Sequence, residues 1–205
     1  MLLYVTDSSP YARMARVVRR EQHLEDRVEE KIAATRTPNS PYYKINPSGR
    51  VPYLVCDDGV GIEGSQPVCY VLDHLDDAPN LDAPNGDVGI AYRRLEEYAR
   101  SLMDGASVWV RELRRPPEDR SAAIIEHERL RLRRLADFWE SEIDHPLMQG
   151  GLNMPQLTLA CALLLEEWYP GLRWREGRPH LAAWADVFAA WPSFVETQPP
   201  DIIEV

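Results

Sequence analysis

The spacing of apolar residues changes once along this 205-residue chain, at a segment rich in Pro, Asn, Asp and Gly between residues 78 and 87. Before this segment, short apolar runs are separated by turn residues, which is typical of a domain that mixes strands and helices. After it, apolar residues recur every three or four positions, which predicts helices only. We therefore predict an α+β domain at residues 1–78, a linker at 79–88 and an all-helical domain at 89–205.

The first domain is predicted to have the element order β-α-β-β-β-α. Its first strand is the apolar run from Leu2 to Val5. Ser9 suits the N-cap of the following helix and Pro10 suits its first position, and the helix continues to about Gln22. The later elements are a weak strand at residues 28–32, irregular chain at 35–49, a hairpin formed by residues 51–56 and 60–62, and a helix from Ser65 to about Asp77.

The helices of the second domain are predicted from periodicity and capping. Apolar residues keep a helical spacing from Ala91 to Leu113, until Pro116 and Pro117 stop the pattern. Residues 153–156 have the spacing of a capping box, in which an Asn and a Gln side chain each satisfy a backbone amide of the other residue. The helix behind this box, residues 157–168, is apolar almost all round, so we expect it to be buried. Further helical patterns cover residues 132–143 and 181–191.

Composition narrows the possible functions. The net charge of −10 disfavours a nucleic-acid partner, because phosphate binding needs clustered and uncompensated cations. No apolar run approaches the roughly 20 residues that span a bilayer, and the N-terminus lacks a signal-peptide pattern. We therefore expect a cytoplasmic protein without a membrane partner. The three cysteines lack metal-ligand spacing, so we expect small buried apolar residues and no bound metal.

Three short motifs occur in a specific order. Ser8-Ser9-Pro10-Tyr11-Ala12-Arg13 begins the first helix, Asn46-Pro47-Ser48-Gly49-Arg50-Val51-Pro52-Tyr53-Leu54 follows about forty residues later, and Gly64-Ser65 begins the next helix. On the predicted scaffold, this arrangement resembles the glutathione transferase family, and it is most similar to bacterial members with a Ser-Pro-Tyr or Ser-Pro-Phe start. The resemblance covers nearly the whole chain. It implies a thioredoxin-like N-terminal domain with a four-stranded mixed sheet, followed by an all-helical C-terminal domain.

Ser9 is the candidate catalytic residue. Glutathione attacks electrophiles as a thiolate, but a thiol with a pKa of about 8.5 is only a few per cent ionised at neutral pH. A hydroxyl hydrogen bond stabilises an anion by about 1.5–3 kcal/mol and a helix N-terminus by about 0.3–1 kcal/mol. Both effects coincide at Ser9, whose alternative role is a plain N-cap worth about 1 kcal/mol. Ser8 is the second candidate, if the turn rotates by one residue, and Tyr4 is the third.

The resemblance also implies residues that bind the rest of glutathione. The Val51 backbone would pair with the cysteinyl unit like an added strand, beside a cis Pro52. Ser65 would cap its helix and hold the γ-glutamyl carboxylate. Relatives usually have an acid directly before this serine to bind the ligand's ammonium group, but this chain has Gly64 there, and Glu63 is displaced by one position. This departure is expected to weaken glutathione binding unless Gly64 permits a local bulge.

The remaining candidates are charged or aromatic. Arg13 would add positive potential near the thiolate or form a structural salt bridge, and Lys44 and Arg50 would reach the glycine carboxylate of glutathione. A small hydrophobic electrophile is expected to bind in a cleft between the domains. The candidates for this second site are Tyr11, Tyr98, Leu102 and Trp109.

We therefore expect a homodimeric detoxification enzyme that activates the glutathione thiol for attack on a hydrophobic electrophile. The alternative is a non-catalytic interaction module with the same fold, which the presence of Gly64 suggests. A redox enzyme that forms mixed disulfides with glutathione would need a cysteine at the position of Ser9.

Overall fold

The computed structural model describes residues 1–75 and 81–199, which form two compact units. Residues 1–75, 81 and 192–199 belong to the first unit, and residues 82–191 form the second. The predicted domain boundary at residue 78 and the first two residues of the linker predicted at 79–88 lie outside the described residues. Residues 192–199 group with the N-terminal residues, although they fall within the helical domain predicted at 89–205.

The first unit contains a four-stranded mixed sheet with the strand order β2-β1-β3-β4. Its strands are β1 (Leu2–Val5), β2 (Glu29–Ile32), β3 (Tyr53–Val55) and β4 (Gly61–Glu63). β1 pairs in parallel with β2 and antiparallel with β3, and β3 pairs antiparallel with β4. Together with the helices α1 (Pro10–Glu21) and α2 (Ser65–Asp73), the strands confirm the predicted β-α-β-β-β-α order.

The charged side chains of strand β2 are tolerated because this strand lies at the edge of the sheet. Its side chains are exposed or half-buried, whereas every second side chain of the neighbouring β1 is buried. Glu30 of β2 accepts hydrogen bonds from Arg16 at 3.0 Å, from Arg19 at 3.3 Å and from Arg20 at 2.9 Å. Burial opposes ionisation of Glu30, but the guanidinium groups of Arg16 and Arg20 outweigh it and hold the pKa of this carboxyl below its usual value. These ion pairs join α1 to the sheet edge.

Two predictions for the first unit need correction. The chain expected to be irregular at residues 35–49 contains a 3₁₀-helix, Pro41–Lys44, because the Ser40 side chain accepts a hydrogen bond from the Tyr42 amide at 3.2 Å and caps it. The helix expected to reach Asp77 ends as an α-helix at Asp73.

The second unit is built from helices, as the periodicity predicted. They are α3 (Gly86–Leu113), α4 (Ala122–Glu142), α5 (Met154–Leu163) and α6 (Pro179–Ala189). Every residue of α5 is buried, and this helix packs against α3. Asn153 and Gln156 form the predicted capping box, with both hydrogen bonds at 3.0 Å. A helix that is apolar almost all round is stable only when its neighbours cover nearly its whole circumference, so α5 is the centre of this unit.

The ends of several helices differ from the prediction. α4 begins at Ala122, well before the apolar pattern at 132–143, because Ser121 caps it by accepting a hydrogen bond from the Ile124 amide at 3.3 Å. After Leu163 the central helix continues only as a 3₁₀-helix, Leu164–Glu167. A short helix α7, Pro192–Val195, begins at the proline that ends the last predicted pattern. None of the helices in residues 1–75 and 81–199 combines the length and hydropathy that crossing a bilayer requires.

Candidate functional site

The three motifs of the sequence meet at one edge of the sheet, the one formed by the end of β1, the start of β3 and the end of β4. Tyr4 near the end of β1 pairs with Tyr53 at the start of β3, and Tyr53 pairs with Glu63 at the end of β4. In addition, the Gly64 amide donates to the Pro52 carbonyl at 3.3 Å. The chain that follows β1, the chain that precedes β3 and the start of α2 therefore all lie at this edge.

Ser9 is the N-cap of α1, as predicted. Its backbone is extended, with φ −92° and ψ 117°, and its Oγ accepts a hydrogen bond from the Ala12 amide at 3.2 Å. A serine hydroxyl can accept two hydrogen bonds and donate one, so this contact leaves the Ser9 proton available. The first turn of α1 contains no acidic residue that would offset the positive end of the helix dipole. Ser9 therefore keeps a hydroxyl proton to donate at the positive end of the α1 dipole.

The two other candidates for the thiolate role differ in their surroundings. Ser8 is half-buried in the turn before the helix. Tyr4 is half-buried within β1, and its ring packs against the ring of Tyr42 with centroids 5.4 Å apart. This ring contact indicates a packing role for Tyr4.

The Val51-Pro52 peptide bond is cis, as the resemblance implies. Pro52 is buried and Val51 is half-buried. Val51 precedes the first paired residue of β3, so it lies outside the hydrogen-bonded ladders formed by the described strands. The Val51 backbone therefore lies just before β3, at the edge of the sheet where Ser9 and the start of α2 also lie.

A network of side chains fixes the loop before this peptide. The Asn46 side chain, 1% exposed, donates to the Arg50 carbonyl at 3.0 Å and accepts from the Ser48 amide at 3.1 Å. The Tyr42 hydroxyl donates to the same Arg50 carbonyl at 2.5 Å. Burial raises the pKa of this phenol, which therefore stays protonated and remains a donor.

The Asn46 motif was recognised in the sequence, but the roles of Asn46 and Tyr42 in holding the loop before Val51 were not predicted. An Asn before Pro-Ser-Gly has the local signal of an Asx turn, in which the side chain binds the backbone two residues later. Nothing in the local sequence indicates that Tyr42 reaches the same loop. Gly49 also has a structural role, since its φ is +68° and a Cβ there would lie 2.7 Å from the Tyr43 ring.

The start of α2 corrects one prediction. Ser65 was expected to cap the helix, but Gly64 occupies the N-cap with φ 96° and ψ 148°, and it provides no side-chain cap. Ser65 is the first helical residue and is 5% exposed. The Glu63 carboxylate accepts a hydrogen bond from the Ser48 hydroxyl, so it is directed at the loop before β3. The carboxylate nearest in sequence to the missing acid is thus already engaged.

The three basic candidates lie in different environments. Lys44, the last residue of the 3₁₀-helix, and Arg50 are both exposed. Arg13 is 1% exposed, and its guanidinium donates to the Phe194 carbonyl at 2.9 Å and to Thr197 Oγ1 at 3.3 Å. Arg13 is therefore anchored to the C-terminal segment, while Lys44 and Arg50 remain accessible to an anion.

The aromatic and apolar candidates for the second substrate are divided between the units. Tyr11 is half-buried in α1. On α3, Tyr98 is 39% exposed and stacks on Phe138 with ring centroids 4.1 Å apart. Leu102 is 1% exposed and Trp109 is 6% exposed, so both are core residues of the helical unit.

The cysteines show no sign of catalytic activation. Cys69 and Cys161 are buried as predicted, whereas Cys56 is half-buried. Burial raises the pKa of the Cys56 thiol, and the carboxylates of Asp58 and Asp57 raise it further. This thiol follows β3, at the end of the strand opposite Pro52. Within residues 1–75 and 81–199, no group of three or more His, Cys, Asp or Glu side chains is arranged to hold a metal ion.

Comparison with known proteins identifies the family of the domain that contains these residues. Residues 8–75 match the family model of the glutathione S-transferase N-terminal domain. The chain carries a glutathione S-transferase N-terminal domain. This match includes all three motifs at the sheet edge, and it confirms the thioredoxin-like fold of the first unit.

Solved structures extend the likeness of this glutathione transferase domain over the whole chain. A glutathione transferase family member from Pseudomonas fluorescens Pf-5 with bound glutathione is 27% identical, with 98% of this chain and 99% of that chain covered and a TM-score of 0.88. A structure of a family member from the same organism with bound S-(propanoic acid)-glutathione is 28% identical, covers 98% and 100% of the two chains and has a TM-score of 0.85.

A third structure, a glutathione S-transferase from Methylobacillus flagellatus KT with glutathione bound, is 28% identical. It covers 97% of this chain and 98% of that chain, with a TM-score of 0.84. No curated protein sequence matches the chain. The chain thus has the glutathione transferase fold along nearly its whole length.

Proposed function

We propose that this protein is a glutathione transferase that activates the thiol of glutathione through the Ser9 hydroxyl. The observation that carries the proposal is the fixed Ser9 oxygen, which accepts the Ala12 amide at 3.2 Å and keeps its own proton for a ligand. Lowering a thiol pKa by about two units needs roughly 2.7 kcal/mol of preferential anion stabilisation. A hydrogen bond to the sulfur and the end of α1 together supply energy of this size.

The rest of glutathione would be held by backbone and charge. Its cysteinyl unit would pair with the Val51 backbone beside Pro52, and its γ-glutamyl carboxylate would accept hydrogen bonds at the start of α2 from Ser65 and the nearby amides. The exposed cations Lys44 and Arg50 would attract the glycine carboxylate. The family fold and the glutathione-bound structures of similar proteins support this assignment.

The reaction follows from the thiolate. Glutathione releases its thiol proton to solvent, and the sulfur then forms a bond to an electrophilic carbon while the leaving group departs with the electrons of its broken bond. The proposed second substrate is small and hydrophobic. Tyr11 of the first unit and Tyr98 of the second are each partly accessible and stay separate candidates for contacting it, whereas Leu102 and Trp109 are core residues of the helical unit.

Replacement of Ser9 tests this proposal. With chlorodinitrobenzene as the electrophile, we expect kcat/KM of Ser9→Ala to fall about ten- to hundredfold, the equivalent of one charged hydrogen bond. Ser9→Gly should lose as much activity, although glycine keeps most of the cap stability. Ser9→Thr, which keeps the hydroxyl, should retain activity. If Ser9→Ala keeps wild-type turnover, the proposal is wrong; if only Ser8→Ala loses activity, the role belongs to Ser8.

A second candidate function is a non-catalytic binding module with the glutathione transferase fold. Gly64 favours it, because no side chain stands where the ligand's ammonium group would need a carboxylate, and Glu63 is bound to Ser48. Calorimetric titration with glutathione separates the two functions. Saturable binding in the micromolar to low millimolar range supports the enzyme, whereas no binding heat supports the module.

We also propose a cytoplasmic homodimer that serves detoxification. Among the described residues, none of the three cysteines forms a disulfide, which suits a reducing compartment. The dimer is what the family resemblance implies. Light scattering tests it, since a mass near twice the 23.5 kDa of the chain is expected and a mass of 23.5 kDa would contradict it.

A further inference from the structure

A buried arginine joins the catalytic helix to the far end of the chain. Arg13 is among the largest fully buried side chains. Its Nη2 donates to the Phe194 carbonyl at 2.9 Å, and its Nε donates to Thr197 Oγ1 at 3.3 Å. The guanidinium carbon also lies 5.5 Å from the centre of the Phe194 ring, within the range of a cation–π interaction.

The partner of this arginine is itself buried and ordered by hydrogen bonds. We call residues 192–199, which include α7, the C-terminal clasp. Phe194 and Thr197 are both 0% exposed. Thr197 Oγ1 accepts from Arg13 and donates to the Ser193 carbonyl at 2.8 Å. One hydroxyl thus connects the arginine to the backbone of the clasp.

Two further arginines extend the contact along the same side of α1. Arg16 Nη1 donates to the Thr197 carbonyl at 3.3 Å, and Arg20 Nε pairs with the Glu196 carboxylate at 3.1 Å. Residues 13, 16 and 20 are three and four positions apart, so they form one stripe on the helix. The clasp therefore binds α1 over two turns.

Arg13 is also directly connected to Ser9. The Arg13 amide donates to the Ser9 carbonyl at 2.9 Å, so the buried arginine belongs to the helical turn that Ser9 caps. Burying a guanidinium costs several kcal/mol unless its N–H groups find acceptors, and the clasp supplies two of them. The clasp thus stabilises Arg13 in the first turn of α1.

We propose that Arg13 is a positioning residue, and that its hydrogen bonds to the clasp hold the first turn of α1 so that the Ser9 hydroxyl meets the glutathione sulfur. This inference rests on the proposed function of Ser9. A hydrogen bond weakens steeply with misalignment, and a displacement of about 1 Å can cost about a hundredfold in rate. Loss of the clasp should therefore impair thiolate stabilisation before it impairs glutathione affinity, since Val51 and Ser65 lie on other segments.

The mildest test is Thr197→Val, which removes the hydroxyl but keeps the side-chain shape. We expect turnover of chlorodinitrobenzene to fall about three- to tenfold and the pKa of bound glutathione to rise, with little change in glutathione affinity. The Ala12 and Arg13 amides, which bind the Ser9 hydroxyl and carbonyl, should exchange with deuterium at least tenfold faster. Thr197→Ser should restore the turnover, the pKa of bound glutathione and the exchange rates to their wild-type values. Arg13→Lys, which lacks the forked donors, should resemble Thr197→Val.

The matched control is Thr158→Val in α5, where the hydroxyl is buried without a hydrogen-bond partner among the described residues. It should leave the pKa, the turnover and the exchange of the α1 amides unchanged. A Thr197→Val protein with a lower melting temperature but wild-type pKa, turnover and exchange would show that the clasp is only structural, and it would overturn the inference. A wild-type protein that shows no Ser9-dependent thiolate would instead contradict the proposed function.

Discussion

Two helices of the first unit, α1 and α2, begin at the same edge of one sheet, but their caps differ. α1 begins at Ser9, whose side chain satisfies the Ala12 amide and keeps a proton to donate. α2 begins at Gly64, which has φ 96° and supplies no side-chain cap. The start of α1 thus has a side-chain hydroxyl with a proton to donate, whereas the start of α2 has its backbone amides and the buried Ser65.

This difference suggests that the two helix starts suit different chemical groups of a ligand. A side-chain hydroxyl can be directed at a single atom and can shift its pKa, which suits a thiol. Backbone amides at a helix start bind an extended anion such as a carboxylate without any side chain. The presence of Gly64 is then compatible with carboxylate binding, and what the chain lacks is a partner for an ammonium group.

The largest effect on stability is expected at the start of α2. Gly64 adopts a backbone conformation that other residues reach only at a cost of about 1–3 kcal/mol. The space around it is not the limit, because an added Cβ would lie 3.5 Å from Pro67, which is an ordinary contact. We therefore expect Gly64→Ala to lower the free energy of unfolding by about 1–3 kcal/mol in urea titrations.

The control for this change is Gly171→Ala, at a glycine with open space around it and no positive φ. Its unfolding free energy should stay within about 0.5 kcal/mol of wild type. Equal stability of Gly64→Ala and wild type would show that the conformation at Gly64 imposes no constraint on the residue type, and the contrast between the two caps would lose its basis.

A smaller effect on stability is expected at the start of α1. Ser9→Ala should cost about 1 kcal/mol of unfolding free energy, because the Ala12 amide loses its cap. Ser9→Gly should cost only a few tenths of a kcal/mol. Urea titrations of both variants check this order. The opposite order would mean that Ser9 does not act as a cap in solution.

The smallest effect is expected at Glu63. Its carboxylate is bound to the Ser48 hydroxyl, and its neutral amide analogue can still accept that hydrogen bond. We expect the glutathione Kd of Glu63→Gln to stay within about twofold of wild type, a difference below about 0.5 kcal/mol. Calorimetry at neutral pH measures it. A Kd weakened tenfold or more would identify Glu63 as the ammonium partner.

Sequence reasoning predicted the features that local chemistry decides. Ser9-Pro10 at a helix start, the hairpin around Asp57-Asp58-Gly59 and the capping box at 153–156 are short patterns whose geometry depends on neighbouring residues. The burial of α5 followed from its apolar circumference. The same patterns, in their order, indicated the family, and the match of residues 8–75 confirms it for the N-terminal domain.

Contacts between distant parts of the chain could not be predicted in this way. Arg13 and Thr197 are 184 positions apart, and a single arginine has no local signal that distinguishes an anion site from a buried hydrogen bond. The Glu63–Ser48 hydrogen bond likewise depends on the pairing of β3 with β4. Leu102 and Trp109 share a helical spacing with Tyr98, but only the packing of α3 shows which of the three are buried. The ligand-binding roles of Ser9, Val51 and Ser65 remain predictions.

The most direct test of the Ser9 hydroxyl as thiolate donor is the pKa of enzyme-bound glutathione, measured from thiolate absorbance as pH is varied. In the wild-type protein we expect a pKa well below the usual value of about 8.5. In Ser9→Gly, where the helix cap is largely preserved, it should rise towards that value. A bound thiol with an ordinary pKa in the wild-type protein, or the same low pKa in both proteins, would contradict the assignment of Ser9.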